Sequence, residues 1–303
     1  MRIVSLVPSA TEIVCALGLT DALVGISHDC DFPPEVLGKP VLSEAIIGLS
    51  EPSRVIEGRI RERIHTGSSV YHLDERALAR LAPDLILTQE LCAVCAPSFT
   101  LVKQAAKLLD AEAKIVSLEP RGLGDVLDNI LLVGELTRTA GRAQALVNRL
   151  RVRIEAMGAR AITARPRVVC LEWMDPFYVG GHWVPEMVDT AGGVDVLGRR
   201  GEPSYRVEWN EVIEAAPDVL VLMPCGFDLT RTRAEVGALT GRPGWNDIPA
   251  VRGGRVFLTD ASAYFNRPGP RLVDGLEILA TAVHPETLAY EVPRESIERM
   301  ADA

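Results

Sequence analysis

One short pattern occurs twice in this chain, and it constrains the fold more than any other feature. At 78–87 the residues run Leu-Ala-Arg-Leu-Ala-Pro-Asp-Leu-Ile-Leu, and at 212–222 they run Val-Ile-Glu-Ala-Ala-Pro-Asp-Val-Leu-Val-Leu. Proline has no N–H to give a helix or a central strand, so each copy predicts a helix ended before Pro83 or Pro217 and a buried strand after Asp84 or Asp218. The two openings also match. Ile3 to Val7 and Arg167 to Leu171 each read as a buried strand followed by a loop and a helix. Two copies of one α/β lobe are therefore expected, and 303 residues is a suitable length for two.

Between the copies, Val126, Ile130, Val133, Leu136, Leu146, Leu150, Ile154 and Met157 recur near helical spacing, with no proline from Arg121 to Ala164. This predicts a long connecting helix, with a break near Thr139 to Gly141. The expected organisation is an N-terminal lobe at 1–121, a connecting helix at 122–163 and a C-terminal lobe at 164–303. A helical connector holds two lobes at a nearly fixed angle, which predicts a rigid clamp with a cleft between them. Open parallel sheets bind ligands beyond the carboxyl ends of their strands. The loops nominated by that rule are Pro8 to Thr11, Ser27 to Phe32, Gln89 to Cys95, Trp173 to Trp183, Pro224 to Phe227 and Asp260 to Arg267.

Composition narrows the partners. Acidic residues outnumber basic ones by 41 to 32, and no Lys/Arg block offers a surface for phosphates, so nucleic acid is not an expected partner. No apolar run approaches the roughly 18 to 20 residues that span a bilayer. The chain opens without the basic start and apolar stretch of a secretory signal, so the sequence as written reads as cytoplasmic, or as extracytoplasmic if a leader has been trimmed. A monomer is expected.

The opening Arg2-Ile-Val-Ser-Leu-Val-Pro-Ser-Ala-Thr-Glu-Ile-Val-Cys-Ala-Leu-Gly-Leu resembles the first strand and helix of the class III substrate-binding proteins of iron-chelate, haem and vitamin B12 ABC importers. The resemblance extends through Leu-Ala-Pro-Asp-Leu-Ile-Leu at 81–87, Val-Gly-Gly-His-Trp-Val-Pro-Glu-Met-Val-Asp-Thr-Ala-Gly-Gly at 179–193 and Pro-Gly-Trp-Asn-Asp-Ile-Pro-Ala-Val-Arg-Gly-Gly-Arg-Val-Phe at 243–257. Within that family the chain is most similar to the cobalamin-binding, BtuF-like branch, with Tyr264-Phe-Asn-Arg-Pro-Gly-Pro-Arg271 as its last ligand loop. The resemblance implies two Rossmann-like lobes that bind cobalamin or another corrinoid, or alternatively haem or a ferric chelate, without turnover and together with an ABC permease. Aromatic faces for a broad apolar ring come from Trp173, Phe177, Tyr178, Trp183, Tyr264 and Phe265, with Pro8 and Ser9 at the first loop. Arg267 and Arg271 can bond rim carbonyls or carboxylates, and His182, preceded by Gly180 and Gly181, can reach an axial metal position or cap the next helix. One departure concerns the permease. Where family importers carry an acidic residue on each lobe, this chain has Arg76 and Asn210, with Glu75 and Glu211 one residue away. That leaves open a carrier, storage or sensing role.

The thiols support a second reading. Cys92-Ala-Val-Cys95 falls between a strand and the helical pattern Leu101 to Leu109, where a helix amino terminus stabilises a thiolate. Cys225 occupies the equivalent loop of the second copy. A soft-metal site for zinc or copper drawn from Cys92, Cys95, Cys225, His28, Cys30 and His182 is one alternative function, and CxxC thiol–disulfide exchange is another. Cys15 and Cys170 lie on apolar faces and read as core. No G-x-x-x-x-G-K-[ST], G-x-G-x-x-G or G-x-S-x-G is present, and Asp189-Thr-Ala-Gly-Gly lacks a second copy, so no catalytic residues are assigned.

Overall fold

A computed structural model of the chain describes residues 1–303 apart from 49, 67–69, 91–112, 160–163, 287, 289 and 301–303. The chain forms two compact units. The first comprises Met1–Glu51, Val55–Pro120 and Asp125–Asn148, and the second Pro52–Arg54, Arg121–Gly124 and Arg149–Ala303.

The first unit is built on β1 (Ile3–Ser5), β2 (Leu23–Ile26), β5 (Leu85–Thr88) and β6 (Lys114–Ser117), in the order β2-β1-β5-β6. All three pairings are parallel, and β1 and β5 are buried along their whole length. Strands covered on both faces have no solvent side, which is why they read as continuous apolar runs rather than alternating ones. A separate antiparallel pair joins β3 (Ser43–Ala45) to β4 (Tyr71–Leu73). The second unit has β7 (Arg167–Met174), β8 (Phe177–Val179), β9 (Val194–Asp195), β10 (Tyr205–Arg206), β11 (Val219–Leu222), β12 (Val256–Thr259) and β13 (Ile297–Arg299). Its order is β10-β8-β7-β11-β12-β13, with β9 beside the start of β7. The centre, β7-β11-β12, is parallel, while β8 and β13 flank it antiparallel.

The repeated Ala-Pro-Asp element has the same structure in both units. After the helices Glu75–Leu81 and Trp209–Glu214, Ala82 and Ala216 turn left-handed, with φ of 40° and 41°. The strand that follows then pairs in parallel with the first strand of its unit, β5 with β1 and β11 with β7. Asp84 Oδ2 accepts the Arg2 backbone N–H at 2.7 Å, and Asp218 Oδ2 accepts that of Arg167 at 2.8 Å. Each arginine then folds its guanidinium back onto the preceding helix end, Arg2 Nε on the Leu81 carbonyl at 2.7 Å and Arg167 on the Ala215 carbonyl at 2.7 Å. The aspartate thus satisfies an edge donor, and the arginine satisfies a helix-end acceptor that would otherwise need water.

The connecting stretch, expected as a long helix with a break near Thr139 to Gly141, is two helices, Leu123–Leu136 and Ala140–Gly158. The interruption lies at 137–139, where Arg138 turns left-handed at φ 59° and Thr139 N–H returns to the Gly134 carbonyl at 2.7 Å. Gly134 allows the fold-back, since a Cβ there would lie 2.3 Å from that of Ala143. The second helix begins in the first unit and ends in the second. Its second half is fastened to the helix Leu272–Val283 by Arg153, which forks onto Glu277 at 2.9 and 2.8 Å and reaches Asp274 at 2.6 Å. Among the described residues no helix is long and apolar enough to cross a membrane.

Candidate functional site

The second unit gathers the nominated residues at the ends of β7, β11 and β12. The pairing of β7 with β8 shifts register between Leu171 and Trp173, an irregularity of the kind that re-aims a side chain at a strand end. Trp173 is 8% exposed, and its ring lies 5.2 Å from that of Phe227. Among the described residues its indole Nε1 has no hydrogen-bond partner. Opposite it on β8, Tyr178 is half-buried.

After β8 the chain is forced into a tight path. Gly181 donates its N–H to Glu172 Oε1 at 3.1 Å, and a Cβ at Gly181 would lie 2.2 Å from the Ser204 nitrogen. His182 follows with φ 50°, a left-handed conformation rare for a residue with a side chain. Two backbone bonds hold it there. Its N–H donates to the Glu202 carbonyl at 2.6 Å, and its own carbonyl accepts from Gly201 N–H at 2.9 Å. The ring packs on Trp183 at 5.6 Å, and Nε2 is buried with no partner among the described residues. Burial, helped by the positive charge of Arg121, pushes the imidazole below its usual 6.5. A neutral ring with a buried, uncommitted nitrogen is the form of histidine that binds a metal.

The remaining loops are tied to one another. Cys225 N–H donates to the Glu172 carbonyl at 2.9 Å, Gly226 N–H to Asn266 Oδ1 at 3.0 Å, and Ser262 N–H to the Phe227 carbonyl at 3.0 Å. Trp183 Nε1 donates to the Phe265 carbonyl at 2.9 Å, and Phe265 is fully buried. These two aromatics therefore fasten loops instead of offering faces. Phe177 is also core, packed on Trp209 at 5.1 Å. Tyr264 is half-buried, with the Arg271 guanidinium 5.7 Å above its ring, and Arg267 is buried with an Nη atom 3.2 Å from Ser262 Oγ. Burial raises the Asp260 carboxyl and nearby Asp228 adds to the effect, against the charges of Arg267 and Arg271. Glu172, Glu202 and Asn266 were not nominated by the sequence. They act by accepting backbone N–H groups from residues distant in sequence, which leaves no motif.

In the first unit Pro8 opens the helix Pro8–Ala16, and both Pro8 and Ser9 are buried. Cys30 is 4% exposed, with its Sγ 3.0 Å from Thr11 Oγ1 and 3.1 Å from Ser27 Oγ. His28 Nδ1 is 2.8 Å from Ser43 Oγ, and Nε2 is 3.4 Å from Asp29 Oδ2. Both side chains are thus engaged within their own unit. Cys92 and Cys95, with the expected helix Leu101 to Leu109, lie outside the described residues. Among the described residues no group of three His, Cys, Asp or Glu could hold a metal ion. Burial pushes the thiols of Cys15 and Cys170 up; Cys170 is a core cysteine, whereas Cys15, expected in the core, is half-buried. Of the acids beside the expected permease positions, Glu211 Oε2 accepts the Glu208 N–H at 2.7 Å, closing the start of its own helix, and Glu75 opens its helix.

The loop that holds His182 starts at Asp195, which accepts Leu197 N–H at 3.1 Å and Gly198 N–H at 2.6 Å through Oδ1. Among the described residues Oδ2 is buried without a partner. Burial raises this carboxyl from 3.8 to about 6, against the two backbone hydrogen bonds. The folded chain therefore holds the proton more tightly than the unfolded one. Stability is greatest below pH 3.8 as far as this group is concerned, and is lost as pH rises through about 6. The loss amounts to about 3 kcal/mol. Asp195→Asn is expected to keep the Oδ1 bonds and remove this slope, which urea midpoints at pH 5 and pH 8 would show. An unchanged slope would mean that the carboxylate is solvated.

Comparison with known proteins follows the same outline. An uncharacterised ABC transporter substrate-binding lipoprotein, YvrC of Bacillus subtilis, is 26% identical over 294 residues, covering 94% of this chain and 81% of the relative. The vitamin B12-binding protein of Vibrio cholerae is 24% identical over 283 residues, covering 92% of this chain and 88% of the relative. The structure of the periplasmic haem-binding protein RhuT from Roseiflexus sp. RS-1, in apo form, superposes with a TM-score of 0.69 at 26% identity, covering 94% of this chain and 98% of that one. Residues 3–263 match the family described as periplasmic binding protein, and the chain belongs to that family.

Proposed function

We propose that this protein binds a metal–tetrapyrrole complex, a corrinoid of the cobalamin type ahead of haem or another metal chelate, and presents it to an ABC permease without chemical turnover. The observation that carries the reading is His182, a half-buried neutral imidazole held left-handed by two backbone bonds, whose buried Nε2 has no partner among the described residues. Holding a histidine in that conformation costs on the order of 1 kcal/mol, and its buried Nε2 takes no hydrogen bond among the described residues in return. An axial bond to a metal uses it. Tyr178, Tyr264, Arg267 and Arg271 would meet the ring and rim of the same complex. The vitamin B12-binding relative of Vibrio cholerae supports the corrinoid, and the Bacillus subtilis relative supports a transporter partner.

The test is a titration of metal-free protein with hydroxocobalamin, cobinamide and haemin, read by visible absorbance and calorimetry. One-to-one saturation with a corrinoid, accompanied by a shifted cobalt spectrum, is expected. Silence toward all three probes would overturn the reading, and uptake of zinc or copper in their place would move the function to the thiols.

A further inference from the structure

Trp183 and Trp209 each donate an indole N–H to a protein carbonyl, Phe265 at 2.9 Å and Pro243 at 2.8 Å. Trp173 is as deeply buried as Trp209, at 8% exposure, yet its N–H has no acceptor among the described residues. Folded proteins pair nearly all their buried donors, and an indole can only donate. Neighbouring acceptors are already engaged, the Glu172 carbonyl by Cys225 N–H and Asn266 Oδ1 by Gly226 N–H. Trp173 stands at the irregular end of β7, beside the loop after β11, where a parallel sheet receives its ligand.

We infer that Trp173 is a specificity-determining donor, giving its indole N–H to a carbonyl or carboxylate oxygen on the rim of the bound metal complex. The inference rests on the metal-complex reading and adds a requirement to it. A ring with polar oxygen acceptors at its edge is selected over a bare metal ion or a ring with an apolar edge. Because the donor is buried, the groups that cover it must yield slightly as the rim enters.

The test compares wild type with Trp173→Phe, which keeps an aromatic ring and removes the N–H. The probes are hydroxocobalamin, cobinamide and haemin, and both affinity and thermal midpoint are read. The variant is expected to bind the probe that wild type accepts about tenfold more weakly, with a thermal midpoint lower by only the few degrees that the smaller buried ring costs in packing. Equal affinity would overturn the inference while leaving the metal-complex reading in place. Should wild type ignore all three probes, the metal-complex reading fails and the inference falls with it. If the variant does not fold, the ¹⁵N-indole resonance of Trp173 in wild type decides: a downfield shift at saturation supports the inference, and an unmoved resonance overturns it.

Discussion

Replacing His182 by glycine is expected to leave stability within about 1 kcal/mol of wild type while weakening metal-complex binding by about 2 kcal/mol, or roughly 30-fold. The two effects separate because the residue is strained. At φ 50° a side chain is disfavoured and glycine is at ease, so relief of the backbone offsets the lost contact with Trp183. Nε2 has no hydrogen-bond partner among the described residues that the change would break. The visible spectrum of bound cobalt or iron should lose its protein-dependent shift in the variant. A variant that keeps both affinity and spectrum would remove His182 from the site. The pH dependence has a definite sign. Burial and Arg121 hold the ring neutral below its usual 6.5, so binding through Nε2 should persist into mildly acidic solution and be lost only as pH falls through that lowered value. A binding curve that collapses at pH 6.5 would indicate an exposed imidazole.

Gly181→Ala is expected to destabilise the chain by about 3 kcal/mol and to lower the thermal midpoint by about 5 to 10 °C. The added methyl would lie 2.2 Å from the Ser204 nitrogen and 2.6 Å from the Pro203 carbonyl carbon, both backbone atoms that cannot rotate away. Relief requires the 203–204 segment to move, and the same segment follows Glu202, whose carbonyl holds the His182 N–H. Metal-complex binding should therefore fall along with stability. This coupled loss contrasts with the binding-only loss of His182→Gly, and it is measurable with the same titration and a thermal scan. A fully stable Gly181→Ala would show that the 203–204 backbone is not pressed against residue 181.

The double α/β architecture was legible because its cause is local. Proline at 83 and 217 cannot continue the helix that precedes it, and four apolar residues after Pro-Asp have no face to leave in water. The break in the connecting stretch was legible only roughly. It depends on Gly134 accepting Ala143 at a distance no side chain allows, and that contact exists only after the helices cross. The arginine–aspartate pairs at Arg2 and Asp84, and at Arg167 and Asp218, went unseen because each links residues brought together by strand pairing. The glycines before His182 pointed to a close backbone approach. Which loop approaches, and that it turns the histidine left-handed, depended on Glu202 and Ser204.

The sequence by itself determined that the chain makes two α/β units with aromatic, histidine and arginine side chains at the strand ends. Proline, glycine and apolar runs act over a few residues, so their effect can be read without a fold. Only the tertiary structure decided what those side chains do. It turned Phe265 and Trp183 inward, gave Cys30 two hydroxyl neighbours and left Trp173 Nε1 and His182 Nε2 without partners among the described residues. Whether a buried polar atom is paired depends on every group packed around it, and those groups come from parts of the chain far away in sequence.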